Sequence, residues 1–234
     1  MEELKVKEKD IVIPGELLAA GMGYLPGQNT YRKGDQVYSK VLGLVYLSGR
    51  AIKICPLAGP YVPKAGDKII GKIIDIAMTG WRIKTNTAYS AMLNIKDSTT
   101  RYVRRDEDLS KIMGIGDYVV VKITKVTSQK LIDLTMKEPG LRKITGGRII
   151  KINSQKVPRV IGKEGSMVSL IKNKTRCEIS IGQNGLVWVK GTPENELLAE
   201  KAVHLVAEKS HLSGLTDKVN EFLIKSTENK VEKQ

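Results

Sequence analysis

Val160-Ile161-Gly162-Lys163-Glu164-Gly165 reads as the junction of two short helical segments, with a Gly-x-x-Gly turn and Lys163 inside it. Glycine lets the chain turn sharply and lets another polymer approach its backbone. The helix that follows presents unpaired amide N–H groups and a partial positive charge toward that approach. An anionic sugar-phosphate backbone suits such a surface. A plain helix–turn–helix corner can carry the same four letters, so the flanking sequence decides the reading.

Outward from the turn the pattern is mixed α/β. A strand is expected over 147–152. Pro158 opens a helical turn, where its missing N–H costs nothing. Ser166 is the expected N-cap of a helix reaching Lys174, whose buried face carries Met167, Leu170 and Ile171. Strands at 178–181 and 186–189 form a hairpin across Gln183-Asn184-Gly185, a strong turn signal. Pro193 starts a long helix with Leu197, Leu198, Ala202, Leu205 and Val206 on one face, and a further short helix is expected near 216–224. Residues 226–234 are polar and read as a frayed tail. The order is β-α-α-β-β-α over 139–225. Between Gly140 and Arg176 ten basic residues face one acid, Glu164. A solvated surface ordinarily mixes its signs, so this run points to phosphate contacts.

Upstream, 65–138 reads as five strands, at 67–76, 80–85, 88–95, 118–126 and 131–136. Short strands at that spacing suit a small closed barrel of the OB type. The connection over 96–116 is long for a hairpin and carries Arg101, Tyr102, Arg104 and Arg105, offset by Asp106, Glu107 and Asp108. A loop of that length in a compact domain is usually functional or mobile. Strand alternation makes Trp81 a core or barrel-rim aromatic. Residues 1–64 look all-β, with short apolar runs split by Pro14-Gly15, Pro26-Gly27, Gly34-Asp35 and Ser48-Gly49, ending in the linker Gly59-Pro60-Tyr61-Val62-Pro63. No internal repeat is visible.

Composition agrees with a polyanion partner. The 234 residues carry a net charge of +14 and a pI near 9.6. A chain this basic ordinarily meets nucleic acid or an anionic membrane surface. The charge lies on folded segments rather than on an amphipathic terminal helix, which favours nucleic acid. No run of eighteen apolar residues is present, and Met1 to Asp10 lacks an apolar signal core. A cytoplasmic location is therefore expected. Cys55 and Cys177 have no motif spacing and read as small buried apolar residues.

Val157-Pro158-Arg159-Val160-Ile161-Gly162-Lys163-Glu164-Gly165, followed by Ile171, resembles the signature of the KH domain. That family clamps about four nucleotides of single-stranded RNA beside its Gly-x-x-Gly loop. The resemblance makes Gly162, Lys163, Glu164 and Gly165 the loop and Ile161 a lining residue of the groove; Arg159 and Lys151, from the basic run, are expected to add RNA contacts. Glu164 departs from family loops, which are more often neutral or basic there. Gly66-Asp67-Lys68-Ile69-Ile70-Gly71-Lys72-Ile73, Thr79-Gly80-Trp81-Arg82-Ile83 and Gly116-Asp117-Tyr118-Val119-Val120-Val121-Lys122-Ile123 resemble the S1 RNA-binding domain. Where typical members carry Phe and His, Arg82 and Asn94 stand here. Contact by charge, through Arg82, Lys84, Arg101, Arg104 and Arg105, is expected to outweigh base stacking. Val12-Ile13-Pro14-Gly15-Glu16-Leu17, Gly27-Gln28-Asn29-Thr30-Tyr31 and Gly34-Asp35-Gln36-Val37-Tyr38-Ser39 resemble the first domain of archaeal exosome cap subunits of the ribosomal-RNA-processing type. The order β domain, S1, KH matches that family over nearly the whole chain.

The resemblance implies a non-catalytic subunit, three copies of which sit on a hexameric ring of phosphorolytic ribonuclease subunits. The first domain docks on the ring, the other two recruit and guide RNA 3′ ends, and adenine-rich RNA is preferred. No catalytic set, cofactor motif or metal cluster is visible in the sequence. His204 and His211 read as ordinary helix-face residues, and Asp106-Glu107-Asp108 as acids that solvate a loop. The rival reading is a free-standing S1–KH transcription or translation factor.

Overall fold

The computed structural model describes residues 3–99, 108–209 and 214–231, with side chains described up to 225. The chain divides into two units, 1–59 and 60–234.

The first unit is all-β. Its strands are β1 (Glu3–Leu4), β2 (Ile11–Val12), β3 (Leu17–Ala20), β4 (Leu25–Pro26), β5 (Thr30–Lys33), β6 (Gln36–Ser39), β7 (Gly43–Ser48) and β8 (Ala51–Pro56). They form two four-stranded sheets, ordered β1-β3-β6-β5 and β2-β7-β8-β4. Alternation sends Val12, Leu18, Val37, Val45, Ile52 and Ile54 into a shared core. The same alternation turns Cys55 outward, so it is exposed and not the buried apolar residue expected of it; Cys177 is buried.

The second unit begins with a closed barrel. β9 (Lys68–Ala77), β10 (Gly80–Lys84), β11 (Ser90–Asn94), β12 (Tyr118–Val126) and β13 (Ile132–Thr135) follow the order β13-β11-β10-β9-β12, and β12 pairs with β13 to close the ring. The β11–β13 pair is parallel and every other pair is antiparallel. Two short helices, α1 (Ile95–Ser98) and α2 (Leu109–Ile112), lie in the connection after β11, where Asp108 caps α2 by accepting from the Ser110 amide. The barrel is filled by Ile69, Ile73, Trp81, Ile83, Leu93, Val119, Val121, Ile123 and Leu134 among others. Each large aliphatic side chain so buried contributes about 1.5–3 kcal/mol. Trp81 is wholly buried and its indole N–H donates to the Met113 carbonyl at 2.9 Å, fixing the long connection to the second strand.

The α/β part contains β14 (Arg142–Ile144), β15 (Arg148–Lys151), α3 (Val157–Ile161), α4 (Ser166–Thr175), β16 (Glu178–Ile181), β17 (Leu186–Lys190), α5 (Pro193–Glu208) and α6 (Leu215–Val231). β14 pairs with β12 and extends the barrel sheet. The other three strands make a sheet ordered β15-β17-β16. Helices cover one face of it, packing Val157, Val160 and Ile171 against Ile150, Ile179, Val187 and Val189 of the strands. Two local expectations do not hold. Gly165, in the left-handed region, is the N-cap of α4, and Ser166 is its first helical residue. On α5 the buried positions are Leu198, Ala199, Ala202, Val203 and Val206, while Leu197 is exposed. Among the described residues no helix is long and apolar enough to cross a membrane.

The other face of the three-stranded sheet packs on the barrel. Leu186 and Trp188 meet Ile70, Val120 and Ile144 in one buried cluster. The β16–β17 turn enters the barrel wall. The Asn184 side-chain amide donates to the carbonyls of Ile70 and Thr85, both at 2.7 Å, and its oxygen accepts from the Ile70 amide at 3.3 Å. The Gln183 amide donates to the Lys68 carbonyl at 2.8 Å, and Asn86 donates to the Asn184 carbonyl at 3.1 Å. Gly182 has to be glycine, because a Cβ there would stand 2.4 Å from Asn184 Oδ1 and 2.7 Å from the Ile70 nitrogen.

Candidate nucleic-acid interface

The Gly-x-x-Gly segment is a tight turn between α3 and α4. Gly162 has φ +77°, ψ 175°, and Gly165 has φ +81°, ψ 11°, with Glu164 also left-handed at φ +53°. The Gly162 amide closes α3 by donating to the Pro158 carbonyl at 3.0 Å. The two glycines differ in what surrounds them. A Cβ on Gly162 would lie 2.7 Å from the Met167 nitrogen and 2.8 Å from its Cβ, so that space belongs to the chain itself. A Cβ on Gly165 would meet only Val168 Cγ1 at 3.9 Å. The open approach expected of both glycines is therefore present at Gly165 alone. Lys163 and Glu164 are exposed, and Ile161 is half-buried against the helical core.

The basic run around this turn is partly neutralised. Arg142 pairs with Glu178, Lys143 with Asp117 at 2.5 Å, and Arg148 with Glu200 at 2.7 Å. Lys143 holds the Asp117 carboxyl below the usual range, helped by the Gly114 amide at 2.7 Å. Among the described residues, Lys151, Arg159 and Lys163 enter no ion pair, and all three are exposed. Lys151 ends β15, opposite Leu186. Arg159 and Lys163 thus stand unpaired, among the described residues, next to and inside the turn, with Glu164 its one opposing charge, while Lys151 lies on the edge strand β15.

The barrel carries a second basic surface. Register pairing aligns Lys84 on β10 with Lys72 on β9, and Lys72 with Tyr118 on β12. The Lys72 ammonium stands 5.7 Å from the Tyr118 ring centre. Arg82 is exposed two residues before Lys84 and makes only a loose contact with Asp75, at 3.8 Å. Met92 on β11 is its other cross-strand neighbour. Sequence reading found Arg82 and Lys84 but missed Lys72 and Tyr118, since the pairing that puts them in one row joins strands distant in the chain. Tyr89 is exposed. Arg101, Arg104 and Arg105, like Tyr102, Asp106, Glu107 and His211, lie outside the described residues. His204 is half-buried on α5. Among the described residues no group of three His, Cys, Asp or Glu side chains is placed to hold a metal ion.

This geometry sits in a chain with close relatives. Residues 9–58 match the family model for the exosome RNA-binding protein RRP4 N-terminal domain, and residues 147–208 match the KH domain model. The exosome complex component Rrp4 of Methanothermus fervidus is 42% identical over 225 residues, spanning 96% of this chain and all of that protein. That of Pyrococcus furiosus is 40% identical over 228 residues, covering 96% of this chain and 86% of the relative. A crystal structure of a protein assigned as an exosome complex RNA-binding protein superposes with a TM-score of 0.66 at 30% identity, covering 74% of this chain and 99% of the other. With a shared identity near two-fifths across its length, the chain belongs to the family of exosome complex component Rrp4.

Proposed function

We propose that this protein is a non-catalytic, RNA-binding subunit of an exosome. It captures single-stranded RNA and guides the 3′ end to a hexameric ring of phosphorolytic ribonuclease subunits. Three copies sit on the ring through the 1–59 unit, and adenine-rich strands are preferred. The RNA-binding residues are Arg159, Ile161, Gly162, Lys163, Glu164, Gly165 and Lys151 at the turn, with Arg82 and Lys84 on the barrel. Arg101, Arg104 and Arg105 of the connecting loop belong to the same proposal.

The observation that carries this reading is the open backbone at Gly165, with Arg159 and Lys163 beside it and unpaired among the described residues. Single-stranded RNA needs an approachable backbone and charges that replace its counterions. Membership in a family of exosome components supports the partner.

Two measurements test the proposal. Native mass spectrometry of the assembly purified from cells should find this chain with a nuclease ring, in three copies; co-elution with ribosomes or polymerase instead would replace this reading by its rival. Incubating the pure chain with end-labelled RNA, phosphate and magnesium should leave the RNA at full length, while anisotropy on the same sample reports binding. Shortening of the RNA by the pure chain would establish a catalyst.

A further inference from the structure

We infer that the cleft at the seam between the barrel and the α/β part is a subsite for one nucleobase of a single-stranded RNA, an inference that rests on the RNA-binding reading above. The cleft lies between the first residues of β12 and the turn from β14 to β15, with a volume of about 340 Å³. That falls in the ~300–1,000 Å³ range of small-ligand clefts. Ile144, Ile149, Tyr118 and Trp188 give it apolar walls, and Asp117 and Thr145 add polar groups. Trp188 is nearly fully buried and its indole N–H donates to the Gly146 carbonyl at 2.8 Å, so it forms a fixed floor. Tyr118 is half-buried and forms the wall available for stacking.

One uncommitted cation stands beside the aromatic wall. Lys72 lies over the Tyr118 ring, 5.7 Å from its centre, and enters no ion pair among the described residues, whereas Arg142, 5.6 Å from the Trp188 ring centre, is paired with Glu178. An aromatic-lined recess with a cation beside it is the arrangement by which proteins hold single strands without reading sequence. The cleft also ends the row Lys84–Lys72–Tyr118, which crosses three neighbouring strands. A strand following Arg82, Lys84 and Lys72 delivers its next base to Tyr118. Stacking therefore returns to a barrel whose second and third strands carry Arg82 and Asn94 in place of aromatics.

The two tryptophans provide the test, because Trp81 is sealed inside the barrel and Trp188 lines the cleft. The full chain, labelled with nitrogen-15, is titrated with a single-stranded uridine oligonucleotide while anisotropy follows total binding. The Trp188 indole N–H signal should move and the Trp81 signal should stay. In Thr145→Phe, which fills the cleft from an exposed turn, RNA should still bind at the Gly-x-x-Gly turn but about tenfold more weakly, the loss expected for one stacked base. The Trp188 shift should vanish in that variant, with the Trp81 signal unchanged as a sign of an intact barrel. Full-strength binding with a stationary Trp188 signal overturns the subsite and leaves the RNA-binding role standing, as does a shift that survives Thr145→Phe. Absence of any RNA binding by the unmodified chain brings down the role and the subsite together.

Discussion

Gly162 and Gly165 occupy one motif for different physical reasons. Gly162 sits at φ +77°, ψ 175°, a region open essentially to glycine, and its missing Cβ is the space taken by Met167 in the first turn of the next helix. Gly165 sits in the ordinary left-handed region with open space beside it. Gly162→Ala should therefore cost more than about 2 kcal/mol, combining backbone strain with a backbone clash, whereas Gly165→Ala should cost about 1 kcal/mol. Urea unfolding of the two variants measures the difference, and equal costs would contradict this division of labour. Gly165→Asp should keep the fold, since Asp tolerates the left-handed region, yet weaken RNA binding by about tenfold through lost approach and added negative charge. A sequence alone shows two equivalent glycines. Their difference depends on where Met167 lies, which is a tertiary fact.

At the scale of elements, the β16–β17 hairpin shows how much was legible and where legibility stopped. Asn184-Gly185 announces a turn, and the strands on either side fall where alternation puts them. Nothing local says that the turn is buried in another domain's wall. Asn184 satisfies the amide and carbonyl of Ile70 and the carbonyl of Thr85, groups more than ninety residues away in the chain. Likewise residues 142–144 fall by sequence in the α/β part with no strand expected there, and pairing with β12 makes them β14, an extension of the barrel sheet. Asn184→Ala strips three buried hydrogen bonds and leaves two carbonyls and one amide without that partner. The expected loss is about 3 kcal/mol, at roughly 1 kcal/mol for each bond. Chemical denaturation followed by the fluorescence of Trp81 and Trp188 checks it. A loss under about 1 kcal/mol would mean that water replaces the side chain and that the hairpin is not a structural pin.

For the molecule as a whole, charge separates the two units. Residues 1–59 hold eight basic and six acidic side chains, so twelve of the fourteen net positive charges belong to 60–234. The sequence made that bias visible but could not show which cations are spent. Arg142, Lys143 and Arg148 count among the ten basic residues of the α/β run, yet each is paired with a carboxylate, while Lys151, Arg159 and Lys163 have no ion-pair partner among the described residues. Cations without a carboxylate partner neutralise phosphates, and so release condensed counterions, most fully. For single strands the slope of log affinity against log salt is about −0.7 per neutralised phosphate. Removing two unpaired contacts, as in Arg159→Ala with Lys163→Ala, should make the slope shallower by about 1.4. Removing two paired cations, as in Lys143→Ala with Arg148→Ala, should change it far less, because each already faces a carboxylate. Anisotropy titrations across a salt series measure both slopes on the full chain. If the two double variants lost the same slope, RNA would be contacting the run by summed charge alone, and the turn would have no special part in holding the strand.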